Sequence, residues 1–350
     1  MWNFLPSCLR RHRRKIFMLG GVIGGVALLN SYLKRKFLEW ETQRAAELCE
    51  QFKRSSHFEG SMSLCDSALI SFAPKIKEIV CSTVDVNPVV DQLKHNPPNK
   101  MELWEQLKIL VFTQAIGEMY AQCLLAVLLK VQMSILGGYV FANSNAFSEG
   151  MSDVSEQQKK YMSRIADFLA NGINSLLVPI RKAVEEILKP IPLNQSLKLR
   201  DIGDIIASIR DVISPDGKCA LPNVSCYLMD SNNSNGSPND EFLEKIVSET
   251  KDILECRDFH QVLCISIDRG INSLMDKLSE CFGYLSNGNN EFENPHDFQA
   301  PFAKIIPMMH NLFSQHQPTE PGALVHLLLQ QESLNTFSAN IYESFSQTNI

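Results

Sequence analysis

The sequence predicts an all-α fold: a bundle of long, partly kinked helices behind one N-terminal transmembrane helix. Three observations lead there. Apolar residues recur at helical spacing through most of the 350-residue chain. No stretch alternates apolar and polar residues strongly enough to read as a strand, and no repeat of fixed period is visible. Prolines and polar clusters fall between the periodic stretches, where they end or bend helices. With 45% hydrophobic residues, the chain can bury one large core or two small ones.

The N-terminus reads as a membrane anchor. Residues 10–15 (Arg-Arg-His-Arg-Arg-Lys) precede an uncharged run at 16–33, which Lys34, Arg35 and Lys36 close. That run is short but within the accepted range for a bilayer span. It ends in Leu-Asn-Ser-Tyr-Leu and lacks the small-residue cleavage site of a signal peptide. Gly20, Gly21, Gly24 and Gly25 set two overlapping GxxxG spacings, which suit close helix approach in lipid and equally suit plain lipid packing. The chain therefore divides into a short basic tail at 1–15, a transmembrane helix at 16–33 and a helical bundle at 34–350. Five bases precede the span and three follow it, so the positive-inside rule taken alone favours a cytosolic N-terminus.

Charge and cysteine content exclude other classes. The net charge of −6 hides an asymmetry: residues 1–36 hold eight Lys/Arg and no acid, leaving 25 bases against 39 acids, a net −14, in the rest. An acidic body is a poor nucleic-acid binder. The ten cysteines include no CxxC pair and no Cys/His cluster of zinc spacing, which favours reduced, buried or incidental thiols. No nucleophile elbow, phosphate loop, HExxH or kinase set is present, and the eight histidines are dispersed. Neither an enzyme nor a cofactor is expected.

The elements follow in order. A charged helix is expected from residue 37 to about 55. An apolar-periodic helix follows at 62–81, kinked or interrupted at Pro74, and then a segment at 84–96 containing Pro88. Pro97 and Pro98 end whatever precedes them. Asn99 with Glu102 three residues on reads as an N-cap with its capping-box partner, opening a helix to about Phe141. That helix is apolar enough to suggest a second span. Gln114, Glu118 and Gln122, followed by Lys130 and Gln132, instead mark a core helix with one wet edge. A loop at 143–152 leads to a helix at 161–188, bent at Pro179 and stopped by Pro190 and Pro192. A shorter helix at 197–213 precedes a flexible polar loop at 216–240, which holds two sequons at Asn223 and Asn232. Helices return at 240–256, 260–285, 302–313 and, behind Thr319 as N-cap, 321–345.

One stretch carries more than packing. Leu103, Leu107 and Leu110 share a stripe that must face a core. Trp104 lies at the stripe's edge, between Lys100 and Lys108. A tryptophan beside a leucine seam, framed by cations, suits the floor of a groove that receives an amphipathic acidic helix. On the residues alone, a rim tryptophan that only seals the bundle is the favoured reading.

Three separated blocks carry a resemblance. Residues 99–108 (Asn-Lys-Met-Glu-Leu-Trp-Glu-Gln-Leu-Lys), 128–139 (Leu-Leu-Lys-Val-Gln-Met-Ser-Ile-Leu-Gly-Gly-Tyr) and 303–307 (Ala-Lys-Ile-Ile-Pro) occur in the same order as in the peroxin-3 family of peroxisomal biogenesis factors, which the chain resembles. The likeness runs from the basic tail to the final helix and weakens near 215–240 and 286–300. It implies a single-pass protein of the peroxisomal membrane, its short tail in the matrix and its body in the cytosol. That orientation is opposite to the one the flanking charges favour. Because both flanks are basic, the family's orientation is the one expected.

The resemblance further implies a docking receptor. Its partner would be the farnesylated cytosolic import receptor for peroxisomal membrane proteins, a peroxin that binds through an amphipathic helix. Matched residue by residue, the groove would use Leu93, Lys100, Trp104 and Leu107, with Lys304 from the C-terminal part; Lys94 and Lys108 join from the same block. Besides this partner, only the lipid bilayer is expected to bind, and no nucleic acid. The alternative is a structural tether that anchors peroxisomes to other membranes or to degradation factors.

Overall fold

The computed structural model describes residues 5–95, 97–143, 151–214, 221, 224–228, 241–287, 298–314 and 323–347. Side chains of residues 1–33 lie outside that description, so the expected span at 16–33 is seen only as backbone within helix α1 (Leu5–Thr83). The sequons, the Thr319 cap and most of the two polar loops also lie outside it. The chain divides into two compact units, Met1–His57 and Phe58–Ile350.

In the first unit, side chains along α1 pair within the helix. Lys36 meets Glu39 at 3.6 Å, Arg54 meets Glu50 at 3.2 Å, and the Arg44 guanidinium lies 5.0 Å from the centre of the Trp40 ring. Leu38, Trp40, Leu48 and Phe52 are all exposed.

The second unit is a bundle of helices. The end of α1 supplies Cys65, Leu69, Ala73, Ile76 and Val80 to its core at helical spacing. Pro74 does not interrupt this helix. It sits on the exposed face, as does Ile70, whose carbonyl is the one that loses its amide partner, so water can satisfy the freed group. Helix α2 (Asn87–Lys94) follows, with Pro88 in its first turn, where the missing N–H costs nothing.

Helix α3 (Lys100–Asn143) is the axis of the unit. Between Leu110 and Gln132 every residue is buried but Glu118, which is half-buried, so helices must surround α3. Those are the end of α1, α2, α4 (Met151–Asp167), α5 (Ile173–Leu188), α8 (Glu241–Glu255), α9 (Arg257–Asn287), α10 (Phe302–Ser314), α11 (Ala323–Leu329) and α12 (Glu332–Ser346). Among the described residues α3 alone is long and apolar enough to cross a membrane, and 72% of its most apolar window is buried in protein. It is a core helix, as the polar stripe predicts. The stripe's edge, however, is dry: Gln114 and Gln122 are buried, and Gln122 Nε2 donates to Glu118 Oε1 at 3.0 Å.

Near the end of α3, Gly137 and Gly138 let α12 come close. A Cβ on Gly138 would lie 2.6 Å from the Phe345 Cβ and 3.0 Å from backbone. Tyr342 and Phe345 fill the space a larger residue would need.

Four further expectations need correction. The helix expected at 161–188 is split by a π-helical turn (Phe168–Gly172), where Gly172 meets the Tyr227 carbonyl; a Cβ there would lie 2.3 Å from that oxygen. Tyr227 belongs to α7 (Val224–Leu228), a short helix with buried Val224 inside what reads as a loop.

The fold is not wholly without strands. β1 (Ser196–Lys198) and β2 (Gln299–Pro301) pair antiparallel, with Leu197 opposite Ala300, and α6 (Leu199–Ile213) starts directly after β1. Three residues are too few to show a period of two, and the partner lies a hundred positions away.

The helix expected at 321–345 is broken between α11 and α12. Gln331 there is extended and fully buried; its Oε1 accepts from Ser266 Oγ at 3.2 Å, and its Nε2 donates to Ser333 Oγ at 2.9 Å. Those side-chain bonds compensate the lost helical ones, and no glycine or proline marks the break.

Candidate docking surface

The turn between α2 and α3 brings the first group of predicted residues together. His95 N–H donates to Gln92 O at 3.1 Å, Pro97 and Pro98 reverse the chain, and Asn99 O accepts from Leu103 N–H at 3.2 Å as α3 begins. Glu102 lies in the first turn of α3, where the helix dipole favours an acid. Leu103, Leu107 and Leu110 face the core as the stripe requires, each under a tenth exposed.

Trp104 is half-buried and packs against that core, and Leu93 from α2 does the same. Met101, one turn before Glu105, is 68% exposed, the most open large apolar side chain in this part of α3. Lys100 and Lys94 are exposed, and Lys94 Nζ donates to Asp91 Oδ1 at 2.8 Å. That hydrogen bond and the lysine charge hold the Asp91 carboxyl below its ordinary pKa. Asp91, Gln92, His95 and Pro97 border an open depression of about 430 Å³.

Two predicted residues sit differently. Lys304 is exposed in the first turn of α10, reached through Phe302, whose ring meets Phe112 of α3 edge-on at 5.7 Å. Lys108 is fully buried. Its Nζ donates to Ile191 O at 2.8 Å, pairs with Glu105 Oε2 and lies 5.7 Å from the centre of the Phe302 ring. α2 and the start of α10 both pack on α3, Leu107 and Lys108 are buried there, and Leu93 and Trp104 are half-buried. Ile191 and Phe302 were not legible as members. One contributes only a backbone carbonyl, and the other resembles any core phenylalanine.

No group of three or more metal-binding side chains occurs among the described residues. The described cysteines are free thiols; burial pushes Cys65 up to about 12 and Cys123 higher still, which keeps both protonated.

The comparisons with known proteins agree with one another. The chain is 34% identical to peroxisomal biogenesis factor 3 of Rattus norvegicus, over 99% of this chain and 97% of the relative. It is 32% identical to the Homo sapiens protein of the same name over the same shares. With peroxisome biogenesis protein 3-2 of Arabidopsis thaliana it shares 26% identity over 88% of this chain and 89% of the relative. The class is thus that of peroxisome biogenesis factors. The model of one particular family, Peroxin-3, matches residues 95–144 and 142–344, and the chain belongs to that family. Membership carries a role in peroxisome biogenesis and a place at the peroxisomal membrane.

Proposed function

We propose that this chain is a docking receptor, not an enzyme, and that it binds the farnesylated cytosolic import receptor for peroxisomal membrane proteins. An amphipathic helix of that partner lays its apolar face over Trp104 and Leu93, and its acidic flank meets Lys94, Lys100 and Lys304. Helix-in-groove recognition needs an apolar floor already held in place and charge at the rim. The observation that carries the reading is Trp104: half-open on a buried helix, one turn from exposed Met101 and Lys100. Residues 16–33 anchor the chain in the bilayer, with the tail in the matrix and the body in the cytosol.

The test is titration of the full-length chain in nanodiscs with a labelled acidic amphipathic helix, followed by anisotropy. Saturable binding that weakens when Trp104 is truncated supports the reading. Saturable binding that is indifferent to Trp104 removes it. A second reading, a tether, draws on the exposed Leu38, Trp40, Leu48 and Phe52 of α1, a run of open apolar side chains far in sequence from Trp104.

A further inference from the structure

The buried Lys108 has an acid partner on its own helix, yet its ammonium also reaches two segments remote in sequence. Ile191, whose carbonyl accepts its hydrogen bond, lies in the connection between α5 and β1. Phe302, whose ring the ammonium faces, is the first residue of α10. The same connection grips α10 directly: Gln195 O accepts from Phe302 N–H at 2.8 Å, and Leu193 O from Ala303 N–H at 3.0 Å. Those amides are among the first-turn donors that a helix cannot satisfy by itself. Next to them β1 pairs with β2, Ser196 opposite Pro301. A continuous chain of contacts thus runs from Lys108 through Ile191 O and the 193–195 backbone to Phe302 and Ala303, ending one residue short of Lys304.

Trp104 stands one helical turn before Lys108 on the same side of α3. We propose that Lys108 is a positioning residue: its ammonium clasps the 191–195 connection against α3 and so sets where Lys304 stands relative to Trp104. The inference rests on the docking reading above for its binding arm only. Any buried ammonium needs acceptors, and Glu105 on the same helix already supplies one; the bond to Ile191 O is the one that ties α3 to a remote segment. An apolar side chain of similar length would fill that space without desolvating a charge. What the ammonium adds is a hydrogen bond to a backbone carbonyl in an irregular connection, which fixes that connection's register. Burial explains why the role escapes a reading in which Lys108 is one more rim cation.

The experiment uses the full-length chain in nanodiscs and the variants Lys108→Met and Lys108→Leu. The second is a shorter apolar side chain that also lacks the ammonium, and it answers the question if Lys108→Met does not fold. Hydrogen exchange is read at the Phe302 and Ala303 amides. Loss of the clasp should speed both by about tenfold, the equivalent of one buried hydrogen bond, while amides in the middle of α3 keep their rates. Binding of a synthetic acidic amphipathic helix is then measured in a double-mutant cycle. In the wild-type background Lys304→Glu weakens binding; in the Lys108→Met background it changes little. Trp104→Ala weakens binding by the same factor in both. A general loss of stability would not separate the two residues in this way. Unchanged exchange at 302–303, or a full Lys304→Glu effect without Lys108, overturns the proposal. If the peptide fails to bind even the wild-type chain, the docking reading falls, and the exchange arm still decides the clasp.

Discussion

The Lys130 ammonium lies 2.9 Å from the Asp66 carboxylate, joining the middle of α3 to α1. The two ends of this pair differ sharply in environment: the lysine side chain is 2% exposed and the aspartate 35%. Lys130 Nζ also donates to Asn335 Oδ1 at 3.0 Å, and Asn335 Nδ2 in turn donates to Leu329 O at 3.0 Å. Three helices remote in sequence therefore meet at one buried charge.

The asymmetry makes a stability prediction. Asp66→Ala leaves a buried ammonium with only the neutral Asn335 oxygen to meet, whereas Lys130→Met leaves a carboxylate that water still reaches. Removing one partner of a fully buried pair costs ~3–5 kcal/mol, and partial exposure of the aspartate reduces this to roughly 1–3 kcal/mol for Asp66→Ala. Lys130→Met should cost less than that. Urea midpoints of the two variants of the full chain in detergent decide it; equal midpoints would mean the ammonium is not stranded.

Glu118 supplies a pH prediction. Burial raises its carboxyl above the ordinary 4.5, with Lys77, Lys277 and the Gln122 hydrogen bond pulling the other way. The folded protein then keeps the proton to higher pH than the unfolded chain does. Stability must therefore fall as pH rises from the unfolded value through the raised folded one. Above that window the ionised side chain is a cost. Glu118→Gln should raise the urea midpoint at pH 7 and flatten its decline across that window, since the Gln122 donor keeps an oxygen to meet. A lower midpoint at pH 7 would show that the ionised form is the stabilising one.

How far the sequence could be read follows from where each signal resides. Amphipathic stripes and prolines are local, so α3, α6, α8 and α10 fall within a few residues of where periodicity puts them. Trp104 at the edge of a leucine stripe was likewise legible, because its half-burial follows from its angle on the helix. What stayed hidden depends on partners far away. The break at Gln331 needs Ser266, the π turn needs the Tyr227 carbonyl, and the two short strands need each other. Lys108 is the clearest case. Its position on α3 is one turn from Trp104, yet its burial is decided by Ile191 and Phe302, which no local pattern connects to it.

Rim charge can be separated from floor by salt. Charge reversal at Lys304, which is exposed, should slow association with an acidic helix and reduce its dependence on ionic strength. Dissociation should change less, because screened surface charges act mainly on encounter. Stopped-flow traces across a salt series measure both. An association rate that keeps its full salt slope after Lys304→Glu would place this lysine outside the contact.

The most direct measurement is the affinity and the melting temperature of one variant, Trp104→Ala, taken together. Half-burial means truncation should cost the fold only about 1–2 kcal/mol, below the ~3–5 kcal/mol expected for a fully buried aromatic. A central aromatic anchor costs at least ~2 kcal/mol of binding, roughly a 30-fold loss. The variant should keep its helical circular dichroism, melt within a few degrees of the wild type and bind the acidic amphipathic helix far more weakly. A variant that melts close to the wild type and binds as tightly contradicts the docking surface; one that unfolds makes Trp104 a core residue instead.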